Sequence, residues 1–355
     1  MTDCLKLTAY FGERQRVGRR FVADAVLDLL AERRVADSVL LRGVTGFGGR
    51  HVLRTDASLT LSEDPPVTIA ALDRAEVMST VADDVTALVP RGLITLERAT
   101  LIGGAATEFA ASDNDAVRLT IPMGRNRRVG AVPAFIAVCD LLSQRGFAGA
   151  TAFLGVDGTS HGQRRRARFF SRNLDVPLMV VAVGSGGQVR AVLTELQAML
   201  GETPVTAERA QVCKQHGTLL GRPAALPAAD AAGRPLWQKL MVHTSEDTLH
   251  DGVPIHRILV RRLLASGAAR GATVLRGVWG FEGDHSPHGD RLIQWGRQVP
   301  VTTVVVDSPD NIGRGFEIVD AATSRHGLVT CETVPALLAL DGAAPHGRLG
   351  LATPY

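Results

Sequence analysis

The sequence predicts an α+β protein built from three copies of one domain, and three observations support this prediction. The 355 residues contain a threefold internal repeat, each copy alternates strand-like and helix-like patterns, and small-residue segments separate the copies. The repeats run from Leu5 to Ile102, from Val117 to Cys213 and from Trp237 to Leu338. We therefore predict domains at 1–102, 117–213 and 237–338, linkers at 103–116 and 214–236, and a loosely held tail at 339–355.

Each repeat begins with the pattern of a strand and then of a helix. The opening runs KLTAYFG, RLTIPMG and KLMVHTS alternate as strands do, and a glycine (Gly18, Gly130 or Gly252) follows each run. Apolar residues at helical spacing then predict the first helix. In the first repeat these residues are Phe21, Val22, Ala25, Val26, Leu29 and Leu30.

A second strand follows in each repeat. It is predicted to end at a glycine that the repeats share, Gly43, Gly155 or Gly277. The glycines of GVTGFG, in the first repeat, are interpreted as turn residues that need positive φ. About twenty polar residues then form a long loop.

A proline introduces the third strand, and a second helix and a short closing strand complete the unit. The third-strand runs VTIAALD, LMVVAVG and VTTVVVD have few polar residues on either alternating face, so we expect both faces to be buried. The closing runs are GLITLE, ETPVTAE and GLVTCE.

The order βαββαβ predicts a ferredoxin-like domain, a four-stranded antiparallel sheet with both helices on one face. Such a sheet leaves its other face uncovered. Three copies in one chain therefore predict that the sheets pack against one another about a pseudo-threefold axis, as an intramolecular pseudotrimer and a monomer in solution.

Composition excludes several classes of protein. The formal net charge is +3, no apolar run is long enough to span a membrane, and the N-terminus lacks a signal peptide, so we expect a cytoplasmic protein without membrane insertion. The four cysteines lie far apart and are expected to be reduced and buried. The sequence contains no GxSxG or HExxH motif, and no GxGxxG opens a βαβ unit, so we do not predict an enzyme.

The runs LKLTAYFGE, VLLRGVTGFG, LSEDPPVTIAALD and GLITLE resemble family 190 of the domains of unknown function, which is PII-like. The resemblance is specific in the first repeat, good in the third and recognisable in the second. It implies a regulatory or sensor protein that binds a small anionic effector, such as an adenine nucleotide, in an inter-domain cleft. It also implies that the long loops contact a partner, such as an ion channel or a membrane transporter.

The turn after the third strand of the middle repeat is the first candidate site. It reads GSGGQV and lies at a strand-to-helix junction, where free backbone N–H groups favour an anion. The predicted phosphate-binding residues are Gly184, Ser185, Gly186, Gly187, Arg125 and Arg128. A flexible tight turn without a ligand is an equally good interpretation. The equivalent turns of the other repeats are acidic.

The long loop of the middle repeat is the second candidate site. That repeat holds 12 basic and 6 acidic residues, for a net charge of +6, whereas the first repeat has zero and the third has −1. The residues predicted to hold an anion or an acidic partner are Arg164, Arg165, Arg166, Arg168, Phe169 and Arg172. A solvated basic loop is the alternative, and nucleic-acid binding is disfavoured because no nucleic-acid-binding fold signature accompanies the loop.

Two further functions compete with effector binding. His285 and His288, flanked by Asp284 and Asp290, have the side chains of a metal site, although an HxxH pair in a loop is weak support. This metal-binding or metal-tolerance function is the first alternative. A structural adaptor that kept the trimeric core without a ligand is the second.

Overall fold

A computed structural model describes residues 3–55, 64–102, 110–166, 176–201, 203–283, 286–289, 299–341 and 345–353. These residues form a mixed α+β structure with six helices and a mostly antiparallel sheet. Within them, no helix is both long and apolar enough to cross a bilayer.

The three repeats contain the same series of elements. The elements of the first repeat are β1 (Asp3–Gly12), β2 (Arg16–Val17), β3 (Arg20–Phe21), α1 (Val22–Glu32), β4 (Asp37–Phe47), β5 (Arg54–Thr55), β6 (Pro66–Arg74), α2 (Ala75–Leu88) and β7 (Gly92–Ile102). Those of the second are β8 (Ala116–Gly124), β9 (Arg128–Val129), β10 (Val132–Pro133), α3 (Ala134–Gln144), β11 (Gly149–Leu154), β12 (Asp157–Ser160), β13 (Gln163–Arg166), β14 (Pro177–Ser185), α4 (Gly186–Leu200), β15 (Val205–Arg209), β16 (Gln211–Gln215) and β17 (Thr218–Leu219). Those of the third are β18 (Trp237–Ser245), β19 (Leu249–His250), β20 (Val253–Pro254), α5 (Ile255–Ser266), β21 (Ala272–Arg276), β22 (Trp279–Glu282), β23 (His288–Gly289), β24 (Pro300–Asp307), α6 (Pro309–Ala322), β25 (Leu328–Val334), β26 (Ala336–Leu340) and β27 (His346–Arg348).

Each repeat forms a four-stranded antiparallel sheet with its two helices packed on one face. In the first repeat the strand order is β4-β6-β1-β7, and the second and third repeats have the equivalent orders β11-β14-β8-β15 and β21-β24-β18-β25. Val22, Val26 and Leu30 are fully buried on α1, at the spacing of one helix face. They pack in one core with Leu7 and Ile69 of the sheet.

The other face of each sheet is covered by the neighbouring repeats. One apolar cluster joins Val39 and Leu41 of the first repeat to Phe153 and Val181 of the second and Leu275 of the third. All eight residues of β24 are buried, as are the first seven of β6. The expectation that both faces of the third strand are buried is therefore confirmed for these two strands.

The second strand ends beside its shared glycine in the second and third repeats, where β11 ends at Leu154 and β21 at Arg276, but not in the first. In the first repeat β4 continues to Phe47, and its last residues pair with β21 of the third repeat. In the same way β12 pairs with β4, and β22 pairs with β11. Each repeat thus extends an arm along the second strand of another repeat: arm 1 (43–55) on the third, arm 2 (155–166) on the first and arm 3 (277–283 with 286–289) on the second. The three arms close a ring.

The shared glycines allow the arms to approach their neighbours. A Cβ on Gly155 would lie 2.5 Å from Cγ2 of Val39 and 2.8 Å from the carbonyl oxygen of Pro177, and a Cβ on Gly46 would lie 2.4 Å from the carbonyl oxygen of Ala272. Neither Gly43 nor Gly46 has positive φ. The interpretation of GVTGFG as a positive-φ turn is therefore wrong at these two positions, because the glycines serve close backbone contact inside a strand.

The closing strands also join the repeats, and they are longer than expected. The end of β7 pairs with β15, β16 pairs with β25, and β26 pairs with β7. Among the described residues, the outermost strands of the resulting sheet are short: β5, β13, β17, β23 and β27 have two to four residues each.

The expected linker and tail contain ordered elements. Lys214 lies in β16, is 2% exposed, and its Nζ is 2.7 Å from the carbonyl oxygen of Asp320. In the tail, the backbone N–H of Ala352 donates to Pro335 at 2.8 Å and that of Thr353 donates to the Asp230 carboxylate at 2.8 Å. The expectation of a loosely held tail is therefore wrong for residues 345–353.

Substitution of an arm glycine tests the close packing between repeats. We expect Gly155→Ala to lower the free energy of unfolding by about 1–3 kcal/mol, because its Cβ overlaps Val39 and Pro177. Urea denaturation measures the change. The matched control is Gly313→Ala in α6, where a Cβ meets no atom within 4 Å. We expect it to leave stability unchanged or to raise it by up to about 1 kcal/mol. Equal effects of both substitutions would contradict the proposed role of Gly155.

Candidate functional site

Six buried charged side chains meet where the three sheets face one another. The first strand of each repeat supplies a cation and the closing strand supplies a glutamate directly opposite it in the antiparallel register. The pairs are Lys6 with Glu97, Arg118 with Glu208, and Lys239 with Glu332. None of the six residues is more than 6% exposed. We call this group the axial charge ring.

Ion pairs in the axial charge ring join different repeats. Nζ of Lys6 lies 2.7 Å from Glu208 and 3.2 Å from Glu97. Nε of Arg118 lies 2.6 Å from Glu332, and its guanidinium also contacts Glu208 and Glu97. Each cation therefore contacts carboxylates of two or three repeats, and the formal charges of the six side chains cancel.

Electrostatics in the ring favour ionised carboxylates. Burial alone would raise the pKa of Glu97, but Lys239, Lys6 and Arg118 outweigh burial and hold that pKa well below its ordinary value. Arg118 and Lys239 lower the pKa of Glu332 against the same effect of burial. Carboxylate oxygens of Glu97, Glu208 and Glu332 lie within 4.8 Å of one another, as metal ligands would. Because Lys6, Arg118 and Lys239 already contact these carboxylates, a metal ion could bind them only by displacing a buried ammonium or guanidinium group.

The first strand ends and the third strand begins at one end of each repeat, where Gly12 lies opposite Pro66, Gly124 opposite Pro177, and Ser245 opposite Pro300. We call this the loop-bearing end. At this end the three repeats use equivalent backbone hydrogen bonds: the N–H groups of Glu13, Arg125 and Glu246 donate to Pro65, Val176 and Val299.

The side chains at these equivalent positions differ between repeats. In the first repeat Nε of Arg42 donates to Glu13 at 2.6 Å, and in the third repeat Arg276 contacts Glu246. The middle repeat has Arg125 in place of the glutamate and Leu154 in place of the arginine. The Arg125 side chain is exposed and has no carboxylate partner among the described residues. Among the described residues, the middle repeat therefore carries a positive charge without a carboxylate partner where the other two carry an ion pair.

The turn at Gly184–Gly187 lies at the opposite end of the sheet. In the register of β8 and β14, Gly184 lies opposite Val117 whereas Gly124, next to Arg125, lies opposite Pro177. Seven residues of strand separate the two places, about 23 Å. Arg125 and Arg128 therefore do not join Gly184–Gly187 in one site, and the expectation that these residues act together is wrong.

The backbone N–H groups of that turn already have partners. Gly186 donates to the Asp115 carbonyl at 2.9 Å, Gly187 donates to the Asp113 carbonyl at 3.1 Å, and Gln188 donates to Oγ of Ser185 at 3.2 Å. Ser185 and Gln188 form a capping box at the start of α4. An anion would have to displace residues 113–115 before it reached these N–H groups.

The basic residues of arm 2 contact the first repeat. Arg164 donates to Asp157 at 2.6 Å within the arm, and it also contacts Asp24 and Asp28 of α1. Arg166 lies 3.2 Å from the same Asp24 carboxylate. These two predicted anion-binding residues therefore bind carboxylates of the chain itself. Arg165, a third predicted anion-binding residue, donates a hydrogen bond from its guanidinium to Oε1 of Gln163 at 3.4 Å.

Other predicted site residues are only partly described. Arg168, Phe169 and Arg172 lie outside the described residues, as does His285. Nδ1 of His288 lies 2.9 Å from the Ser286 carbonyl oxygen, so one ring nitrogen is already engaged.

A small cleft separates the sheets of the first and second repeats. Its volume is about 30 Å³, and its polar lining includes Lys6, Asp37, Thr120 and Thr159. Burial raises the pKa of Asp37 to about 6. A volume of this size accommodates about one water molecule, whereas ligand pockets typically have several hundred Å³. This cleft is too small for a nucleotide.

A family model described as "Uncharacterized ACR", for domain of unknown function 190, matches residues 4–101, 116–212 and 237–336. The chain belongs to this family. The UPF0166 protein of Aquifex aeolicus (strain VF5) is 30% identical over 98 residues, which are 28% of this chain and 90% of that protein. The resemblance of the repeats to family 190 is confirmed.

Sequence reasoning missed the axial charge ring of this family 190 chain, although a signal was present. A basic residue occupies the same place in LKL, VRL and QKL, and a glutamate is the last residue of each closing run GLITLE, ETPVTAE and GLVTCE. A cation inside an otherwise apolar strand needs a partner. That requirement, repeated three times, was sufficient to predict an ion-pair cluster.

Removal of one cation tests the ring. We expect Arg118→Met to lower the free energy of unfolding by about 3–5 kcal/mol, because it leaves three buried carboxylates with two cations. Urea denaturation at neutral pH measures this loss. In the intact ring the lowered pKa of Glu97 stabilises the fold above the ordinary value of 4.5, and this contribution is lost as the pH falls below it. The control, Arg125→Met, should change stability by less than about 0.5 kcal/mol. Similar losses for both variants would refute the role of the ring.

Substitution of Asp24 and Asp28 tests the contact of arm 2 with α1. We expect Asp24→Asn/Asp28→Asn to increase hydrogen exchange of the backbone N–H groups of β12 and β13, because Arg164 and Arg166 lose their partners on α1. Exchange measured by mass spectrometry compares these peptides with those of β14. The control is Asp83→Asn/Asp84→Asn on α2. No difference in exchange between the two variants would exclude this contact as the restraint on the arm.

Proposed function

We propose that this family 190 chain is a PII-like regulatory protein without enzymatic activity, which binds a small anionic effector at the loop-bearing end of its middle repeat. Three ferredoxin-like domains form its scaffold as an intramolecular pseudotrimer. The cyclic exchange of arms, the matching cyclic exchange of closing strands and the axial charge ring support this arrangement.

The single observation that carries the effector site is the loss of an ion pair in the middle repeat. Glu13 with Arg42 and Glu246 with Arg276 neutralise this position in the first and third repeats. Arg125 and Leu154 replace the pair in the middle repeat. Arg128, which is also exposed, lies three residues further along the same turn. Two exposed guanidinium groups, neither of which contacts a carboxylate in the part of the chain that the structure describes, suit a phosphate or another small anion.

Family membership and chemistry together support an adenine nucleotide as the effector. PII-like proteins often bind nucleotides, and the phosphates of an adenine nucleotide match the charge of Arg125 and Arg128. The small cleft beside Asp37 is not the binding place in this proposal, because its volume is insufficient. Arg125 and Arg128 are exposed and do not line this cleft.

Effector binding can change the long loop of the middle repeat through two direct connections. Val176, at the end of this loop, accepts a hydrogen bond from the backbone N–H of Arg125 at 2.9 Å. Arg166, where the loop leaves arm 2, is balanced between Asp24 at 3.2 Å and Asp157 at 3.5 Å. An anion bound at Arg125 competes with the carboxylates of Asp24 and Asp157 for the arginines of the long loop. A partner that contacts the loop, such as an ion channel or transporter, then responds to the effector.

Nucleotide binding tests the proposal. We expect at least one of ATP, ADP, AMP, cyclic AMP and pyrophosphate to raise the melting temperature of the protein, because a ligand that binds only the folded state stabilises it. Arg125→Glu should abolish this increase. The control is Arg145→Glu, which reverses an exposed arginine on another surface of the same repeat. If none of these ligands raises the melting temperature, the effector proposal is wrong.

A further variant separates the two candidate anion sites of the middle repeat. Gly187→Glu adds a carboxylate at the start of α4, where a Cβ meets only Asp113 at 3.4 Å or more. If the effector binds at Arg125, this variant retains the increase in melting temperature. If Gly187→Glu abolishes the increase and Arg125→Glu does not, the effector binds at the turn of residues 184–187.

A further inference from the structure

The segments that connect the first strand to the first helix differ sharply in charge between repeats. They lie at the loop-bearing end, and we call them turn hairpins 1 (13–21), 2 (125–133) and 3 (246–254). Turn hairpin 1 has four arginines and one glutamate, turn hairpin 2 has three arginines, and turn hairpin 3 has three acidic residues. Their formal charges are therefore +3, +3 and −3.

The arginines of turn hairpins 1 and 2 are mostly exposed. Exposed positions are Arg14, Arg16, Arg19, Arg20, Arg125 and Arg128. The carboxylate of Glu13 already binds Arg42, and Asp28 binds Arg20, so neither neutralises Arg16 or Arg19. The two hairpins together present a basic surface that the near-neutral total charge of the chain conceals.

Each basic hairpin also exposes a large apolar side chain. Phe21 is 39% exposed in turn hairpin 1 and Val132 is 42% exposed in turn hairpin 2. The guanidinium of Arg16 lies 4.2 Å from the centre of the Phe21 ring and covers one of its faces. A ring covered in this way is poorly placed to stack on a nucleic-acid base, but its edge remains free to enter an apolar layer.

The two basic hairpins lie at the same end of the molecule. Within each repeat the hairpin lies beside the start of the third strand. Between repeats, the backbone N–H of Val156, next to Gly155, donates to the Leu40 carbonyl at 3.0 Å, and Gly43 pairs with Leu275. The loop-bearing ends of the repeats therefore lie together at one end of the molecule.

We propose that turn hairpins 1 and 2 bind the surface of an anionic membrane. Basic side chains around an exposed apolar residue are the composition that peripheral proteins use at lipid headgroups. Acidic turn hairpin 3 lies at the same end and is repelled by the same surface, so the molecule is tilted towards repeats 1 and 2. This interaction is peripheral and goes beyond effector binding, since it depends on turn hairpin 1 as well as on Arg125.

Vesicle sedimentation tests the proposal with the full chain. Wild-type protein is expected to bind phosphatidylcholine vesicles that contain about 30% phosphatidylserine and not vesicles of phosphatidylcholine alone. Binding should be lost at about 0.5 M NaCl, because salt screens exposed charges. Arg16→Glu/Arg19→Glu should weaken binding at least about tenfold. The control, Arg261→Glu/Arg262→Glu, makes the same charge change at exposed positions of α5 and should change binding less than about twofold.

A second variant tests the apolar contribution without changing charge. Phe21→Ser should weaken vesicle binding by several fold and preserve the start of α1, because serine is a favourable N-cap residue. If Phe21→Ser binds the vesicles as tightly as the wild type does, charge alone explains the binding, and the membrane proposal is wrong. Tighter binding to single-stranded DNA or to a polyglutamate peptide than to the vesicles would also overturn it.

Nucleotide titration of the Arg16→Glu/Arg19→Glu variant distinguishes this inference from the proposed function. A variant that loses vesicle binding but retains the nucleotide-dependent increase in melting temperature supports both. If wild-type protein shows the nucleotide effect and binds no anionic vesicles, the membrane inference alone is wrong. If it binds vesicles without any nucleotide effect, the effector proposal alone is wrong.

Discussion

Six buried charges where the three sheets face one another are the constraint on which the rest of this structure depends. A cation in the first strand of each repeat needs a carboxylate, and the contacts of Arg118 and Lys6 show that carboxylates of other repeats supply it. A repeat on its own would bury one cation and one glutamate of the ring without the ion-pair partners that other repeats supply. Since breaking one member of a buried cluster is costly, the ring favours one arrangement of the three sheets over alternatives.

Covalent fusion changes what a threefold arrangement can do. Three identical subunits must carry the same residue at every equivalent position, whereas three fused repeats can differ. The core positions of this chain have retained their common character, as the shared glycines and the charge ring show. The loop-bearing end has diverged: an ion pair in two repeats becomes Arg125 and Leu154 in the middle one, and the turn hairpins differ by six charges. One chain thus combines a symmetric interior with an asymmetric surface.

Much of the fold could be predicted from local patterns. The repeat, the series of elements within it and the buried third strands follow from periodicity and self-similarity, and the quoted motifs were sufficient for the family. The continuation of β4 beyond Gly43 could not be predicted in this way, because its partner β21 lies in another repeat more than two hundred residues away. The site predictions failed where they assumed proximity: Arg125 and Gly184 occur in one repeat but at opposite ends of a strand pair. The tail was mispredicted because Asp230, which binds it, is distant in sequence.

The closed exchange of strands also affects how this protein meets other proteins. A long strand with free N–H and C=O groups invites pairing with another chain, which leads to aggregation or to domain swapping. Here the long second and closing strands find those partners inside the molecule, and the outermost strands among the described residues are only two to four residues long. Three separate sheets with long unpaired strands would each be prone to aggregate. Pairing between the repeats joins them into one sheet whose outermost described strands are short. Fusion of the repeats therefore provides protection against self-association as well as freedom to diverge.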